Sequence, residues 1–407
     1  MRKVLWTALA CLAAAVLALL AVRLGVQAAV PAYPASLGGD PIPEKITGET
    51  LIRAAAAQDD TLTVFGSSEL KTTDICTHPA NFFAGKRCGF QVNLVGRGSC
   101  QSLVHAMAIA ASGESLRGKK VVLITAPQSY TAEGIAPDLF MANFSEQQML
   151  TLLQDKTLPA ESRRYLAARV QALTEAYNAE NGTELQAHTA AGLLTRAAAA
   201  DRSAACALLT PYAALLTPYA ALSRWLLDTK DLVTASAAMR AAPEAKEPAG
   251  SADIDWQQEE EAALAQAHTL VTGNDFYMLD SYYATYVGHK LAQMAGKDSA
   301  LRYDESPEYD DLRCLLDICA AKELDVLFVH VPLNGSWSDY TGFTADRREA
   351  YYEKVRQIAG QYGNVTLLDL TQEEYTPYFL CDTMHLGWRG WLAVDRAMAA
   401  FWNEDQG

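Results

Sequence analysis

Positive charge is scarce in this 407-residue chain: 33 Lys and Arg stand against 48 Asp and Glu, a formal charge of -15 at pH 7. A general binder of nucleic acid or of an anionic membrane surface needs a positive field, so neither is the main function. Cysteine is dilute as well, at 8 residues, too few for a disulfide-built scaffold. No CxxC or HExxH spacing occurs, so nothing points to a structural or catalytic metal, and no cofactor enters the reading. Charged residues make up only 20% of the chain against 50% apolar, which excludes disorder as the main state and leaves ample material for a core. The length exceeds the roughly 250 to 300 residues at which single cores stop growing, so one large domain with an insertion, or two domains, is expected.

One uncharged apolar run is long. Val4 to Val22 comprises 19 residues of Val, Leu, Ala, Trp, Thr and Cys, close to the ~20 that cross a bilayer as a helix. Arg2 and Lys3 precede it, which by the positive-inside bias keeps the N-terminus in the cytoplasm and exports the remainder, while Arg23 opposes this weakly. A cleaved signal peptide is the alternative, since Val26-Gln27-Ala28 offers small residues at a cleavage position, but the run is longer than a typical signal core. Residues 1–27 are therefore read as a membrane anchor, and the proline-bearing stretch 28–45 as an extended tether. Residues 46–407 form the folded domain, outside the cell on either reading. Export makes the thiols informative: Cys76 and Cys88, in a loop-like segment, are either a disulfide or two buried thiols. Cys314 and Cys319, at i, i+5 on a helix, belong to the core.

Short β-branched and apolar runs at Thr61–Phe65, Phe90–Val95, Lys120–Thr125, Asp325–Val331 and Asn364–Leu370 read as buried strands. Helical patterns lie between them at Cys100–Ala111, Tyr309–Lys322 and Arg347–Gln361, and strands alternating with helices imply an α/β fold with a parallel sheet flanked by helices. The Ala- and Leu-rich middle, about 145–257, reads as a helical insertion. It contains the heptapeptide LLTPYAA twice in succession, at 208–214 and 215–221, a local duplication rather than a solenoid. Residues 241–253 read as a disordered low-complexity linker.

Two segments carry chemistry. Phe65-Gly66-Ser67-Ser68-Glu69-Leu70 follows the first strand, and in open α/β sheets ligands bind beyond the carboxyl ends of strands; the alternative is a helix-capping serine. Asp382-Thr-Met-His385 precedes a C-terminal helical pattern. An Asp three residues before a His can fix the ring tautomer and leave the other nitrogen free as a base. Trp388 and Trp391 read as core. His105, His289 and His330 read as structural, whereas His78 is a candidate for the pocket wall.

Gly66-Ser67-Ser68 resembles the first block of the SGNH (GDSL-like) hydrolases, with Ser67 where that block usually has Asp, and Asp382-xx-His385 with Gly390 resembles their last block. Phe-Gly-Ser-Ser-Glu-Leu, Val95-Gly-Arg-Gly98 before Gln101-Ser-Leu, Pro127-Gln128, Pro332-Leu-Asn334-Gly335 and Asp382 to Trp391 together resemble the DltD family, the D-alanyl transfer proteins of teichoic acid modification. The resemblance implies an SGNH-hydrolase-like fold and a serine acyltransferase or esterase, with Ser68 as nucleophile, His385 as base and Asp382 as its orienting partner. Gly98 is similar to the second-block glycine whose N–H faces the oxyanion, or is an ordinary turn glycine. The third-block Asn is not recognisable; Gln128 is the candidate donor there, with Asn334 second. Ser67 and Glu69 complete the candidate site, Glu69 either holding a D-alanyl ammonium or sitting against a helix dipole. The implied partners are a membrane-bound O-acyltransferase, the D-alanyl carrier pathway components and a teichoic acid acceptor. Two further readings remain open: an exported SGNH esterase or O-acyltransferase acting on cell-wall sugars, and a non-catalytic anchored scaffold.

Overall fold

The computed structural model describes residues 2–71, 75–86, 88–200, 213–244 and 253–404. The five apolar runs become β1 (Thr61–Phe65), β2 (Gln91–Val95), β3 (Lys120–Thr125), β4 (Asp325–His330) and β5 (Val365–Asp369). All pair in parallel, in the order β2-β1-β3-β4-β5. The fold class is thus α/β, a parallel sheet flanked by helices. β-branched residues fill such a sheet because both of its faces are covered. Leu62, Val64, Val122, Ile124, Leu327 and Val329 face one layer, with the helices Trp256–Leu270 and Trp388–Asn403. Phe65, Val121, Leu123, Val326 and Phe328 face the other, with Ser102–Ala111, Glu308–Ala321 and Ala345–Ala359. The alternation follows from the two-residue period of a strand.

Between β3 and β4 the described residues carry helices and no strand, including Glu146–Gln154, Ala160–Asn181, Ala190–Ala199 and Ala213–Ala241. The second heptapeptide copy lies in the last of these; the first copy falls almost wholly outside the described residues, as does most of the 241–253 linker.

The stretch read as a tether is not one over its second half. Residues 35–37 and 43–47 form short helical turns, and Gly38 accepts a hydrogen bond from Leu94 N at 2.8 Å, covering the exposed edge of β2 as sheet edges require. Lys45 is fully buried and donates from Nζ to the carbonyls of Leu37 at 2.5 Å and Gly38 at 2.9 Å. Burial pulls its pKa down to about 7. Proline content suggested extension, but a buried lysine bonding three carbonyls pins the segment to the domain.

Arg2–Ala28 is one continuous helix of 27 residues. The side chains at 2, 3, 8, 9 and 12 lie outside the described set, and among the described residues no helix is long and apolar enough to cross a membrane. Near its end Arg23 donates to Trp225 O at 3.2 Å and Thr229 Oγ1 at 2.9 Å, tying this helix to Ala213–Ala241.

Candidate active site

The strand order reverses direction between β1 and β3, so their carboxyl ends open a crevice where doubly wound sheets bind ligands. Ser68 stands there, at the start of a single helical turn Ser68–Leu70 after β1. Two glycines make the position possible. A side chain on Gly96, which follows β2 at φ +150°, would place its Cβ 1.8 Å from Gly66 O, and one on Gly66 would meet Glu69 Oε1 at 2.5 Å. Glycine at 96 lets the loop after β2 touch the backbone of Gly66, and glycine at 66 leaves room for the Glu69 and Leu70 side chains of its own turn.

His385 arrives from the far end of the chain. Residues 380–386 form a tight reversal closed by a Leu380–Leu386 bridge and by Cys381 N donating to His385 O at 2.9 Å. Gly387 and Gly390 allow the following helix to start against this turn, since a Cβ on them would lie 2.7 Å from Tyr378 O and 2.3 Å from Phe379 O. Trp388 and Trp391 are buried, as expected of core residues, and each removes about 150 to 250 Å² from water, anchoring the helix.

The geometry is a continuous line of hydrogen bonds. Ser68 Oγ lies 2.7 Å from His385 Nε2, and His385 Nδ1 lies 2.7 Å from Asp382 Oδ2. Asp382 Oδ1 accepts from the backbone N–H groups of Met384 at 2.9 Å and His385 at 2.8 Å. Burial pushes the Asp382 carboxyl up, but the His385 ring and these two donors outweigh it and hold it below its ordinary value. For His385 burial pulls the ring down, while the hydrogen bond and charge of Asp382, helped by Glu69, leave it raised. A neutral His385 bonded in this way can accept the Ser68 proton. Because its pKa is raised, activity should climb with pH as the ring deprotonates, with a half-point above the ordinary 6.5. A rate profile with its acidic half-point below 6.5 would contradict this.

The other candidates divide. Ser67 is buried and directs Oγ to Arg97 O at 3.4 Å, away from His385. Glu69 lies beneath the turn, where its Oε1 accepts from Ser67 N at 2.5 Å and burial raises its pKa, so it helps to hold the turn. Gln128 lines a small cavity with Glu69, Met384 and His385, and its buried Oε1 has no partner among the described residues. Nothing crowds a Cβ at Gly98, so close packing does not explain this glycine. Its peptide is held in place by Asn143, whose Nδ2 donates to Gly98 O at 3.2 Å and whose Oδ1 accepts from Arg97 Nε at 2.6 Å. Asn143 went unnoticed in the sequence because no motif surrounds it. Asn334 caps the Gly335–Thr341 helix through Trp337 N at 3.0 Å and donates to Asp382 O at 3.3 Å, so it supports the Asp382 loop and does not face Ser68.

His78 is a corrected expectation. It is fully buried, caps the Pro79–Gly85 helix and packs edge-on to Trp391, and burial lowers its pKa to about 4; it is structural. His105 and His330 are buried too, and His289 is exposed on a short turn. Cys76 and Cys88 are unbridged, the first exposed and the second buried; Cys314 and Cys319 are free and buried. Among the described residues no group of His, Cys, Asp and Glu could hold a metal.

Comparison with known proteins shows the family. The family model described as DltD protein matches residues 42–403. Protein DltD of Bacillus subtilis (strain 168) is 32% identical over 342 residues, 84% of this chain and 82% of that protein. Protein DltD of Staphylococcus aureus (strain NCTC 8325 / PS 47) is 26% identical over 340 residues, 83% and 79% of the two chains. Protein DltD of Lacticaseibacillus rhamnosus is 27% identical over 356 residues, 88% and 80%. With a match that takes in both the Ser68 turn and the His385 turn, the chain belongs to the DltD family.

Proposed function

We propose that the protein is a membrane-anchored serine acyltransferase that moves D-alanyl groups onto teichoic acid. The observation that carries this reading is the hydrogen-bonded line from Ser68 through His385 to Asp382 at the sheet's switch point, in a chain of the DltD family. His385 Nε2 takes the Ser68 proton as Oγ attacks the D-alanyl carbonyl carbon, and the leaving group departs with that proton. The N–H of Ser68, at the start of a turn where donors have no acceptor of their own, and that of Gly98 face the oxyanion. An acceptor hydroxyl then gives its proton to His385, attacks the Ser68 ester, and Ser68 Oγ leaves protonated. Gln128 supplies a further polar group beside His385. The donor comes from the D-alanyl carrier pathway through a membrane-bound O-acyltransferase beside this protein.

Water at ~55 M competes for the ester, so transfer depends on placing the acceptor; effective molarities of about 10⁵ M and above for well-oriented groups make this feasible. The Arg2–Ala28 helix, at 27 residues about 40 Å long, assists by confining enzyme and lipid-linked polymer to one surface. Val4, Leu5, Trp6 and Leu17 are exposed along it, as lipid-facing residues would be. Arg2 and Lys3 place its start in the cytoplasm and the domain outside. Protease added to intact protoplasts should digest the domain; full protection would refute the exported arrangement.

A further inference from the structure

Beside the serine site lies a second, larger cleft of about 450 Å³. Its lining includes Tyr282, Tyr286, Lys290, Lys297 and Trp337, and it meets the active site at Thr383 and Met384. These two residues connect Asp382 to His385, and Met384 also lines the small cavity that holds His385, Glu69 and Gln128. A molecule in the cleft is therefore one side chain away from the base. The wall is built by a π-helical turn, Tyr283–Val287, a backbone irregularity frequent at functional sites. Tyr282 and Thr383 both line the cleft.

The charges of the cleft run against those of the chain. In a protein of net charge -15, this lining holds two lysines and a single carboxylate, Asp298. Lys297 is already paired, with Nζ 2.8 Å from both Asp298 oxygens. Lys290 is half-buried, and among the described residues no ion pair or side-chain hydrogen bond engages its ammonium. An ammonium in that setting selects an anion. The D-alanyl donor group is itself cationic and is repelled there, whereas a phosphodiester is attracted, with lysine acting as a point charge. Tyr282, Tyr286 and Trp337 add flat apolar faces and polar tips, suited to the carbon skeleton and hydroxyls of a polyol.

We infer that this cleft binds the acceptor: Lys290 holds a phosphodiester of a polyol phosphate chain so that a neighbouring hydroxyl reaches the Ser68 ester past Met384. The inference rests on the acyltransferase reading and adds to it where the polymer lies and what recognises it. Attack of that hydroxyl forms the new ester C–O bond and breaks the bond to Ser68 Oγ, its proton passing through His385 to the serine.

The test uses full-length protein in membranes with two acceptors, free glycerol and a glycerol phosphodiester oligomer at equal hydroxyl concentration. In Lys290→Glu, with Ser68 still labelled by a fluorophosphonate, the ratio of transfer to oligomer over transfer to glycerol should fall about tenfold or more, consistent with loss of one charge-assisted contact and gain of a repulsion. Lys290→Arg should restore most of that ratio. An unchanged ratio in Lys290→Glu, or an equal fall with both acceptors, would overturn the assignment. Failure of the underlying reading looks different: transfer to either acceptor would then persist in Ser68→Ala.

Discussion

Ser68→Ala should abolish fluorophosphonate labelling and reduce D-alanyl transfer by about 10⁴ to 10⁶-fold, the scale on which removal of a nucleophile silences a serine triad. No neighbour can take over. Ser67 is adjacent in sequence, but it is buried and its hydroxyl is turned to Arg97 O, and its N–H is committed to Glu69. The variant should fold normally, since the Ser68 hydroxyl bonds only His385 among the described residues, and alanine fits the start of a helical turn. Label on the purified protein and D-alanine on the polymer in cells are the two measurements. Polymer D-alanylation at the wild-type level would refute the acyl-enzyme, and an esterase or scaffold reading would replace it.

Asp382→Asn should lower the rate by about 10³ to 10⁴-fold while leaving the fold intact. The direction follows from the hydrogen bonds already described. Two backbone N–H groups point at Oδ1, so the amide oxygen of an asparagine must occupy that place and its NH₂ the place of Oδ2. That NH₂ then faces His385 Nδ1, 2.7 Å from it in the native protein, and forces Nδ1 to be an acceptor. The ring proton moves to Nε2 and points at Ser68, so the base is lost without any movement of the loop. The charge effect adds a second signature. Asp382 is what raises the His385 pKa against the pull of burial, so the acidic limb of the residual activity should shift to lower pH. A variant with wild-type rate and an unmoved profile would show that Asp382 does not orient the histidine.

The strands were legible in the sequence because their signal is local. Thr61–Phe65 and Lys120–Thr125 are short β-branched runs closed by turn residues, and they occur as strands with those bounds; the other three differ by a residue or two at their ends. The Asp382-xx-His385 pair was likewise visible, since three residues of tight turn suffice to bring carboxylate and ring together. What lay beyond the sequence depends on contacts between distant segments. Strand order, and with it the switch point that receives Ser68, is set by packing of helices on both faces. Ser67 is held by Arg97 O, which lies 30 residues away in sequence, and by Glu69. The burial of Lys45 under β2 turned an apparent tether into an edge cover, and Asn143 holds Gly98 from 45 residues away. Local patterning determined the elements and the residue types that carry the chemistry; only the tertiary structure decided which side chains meet, because burial and hydrogen-bond partners are properties of the packed chain and not of its spacing.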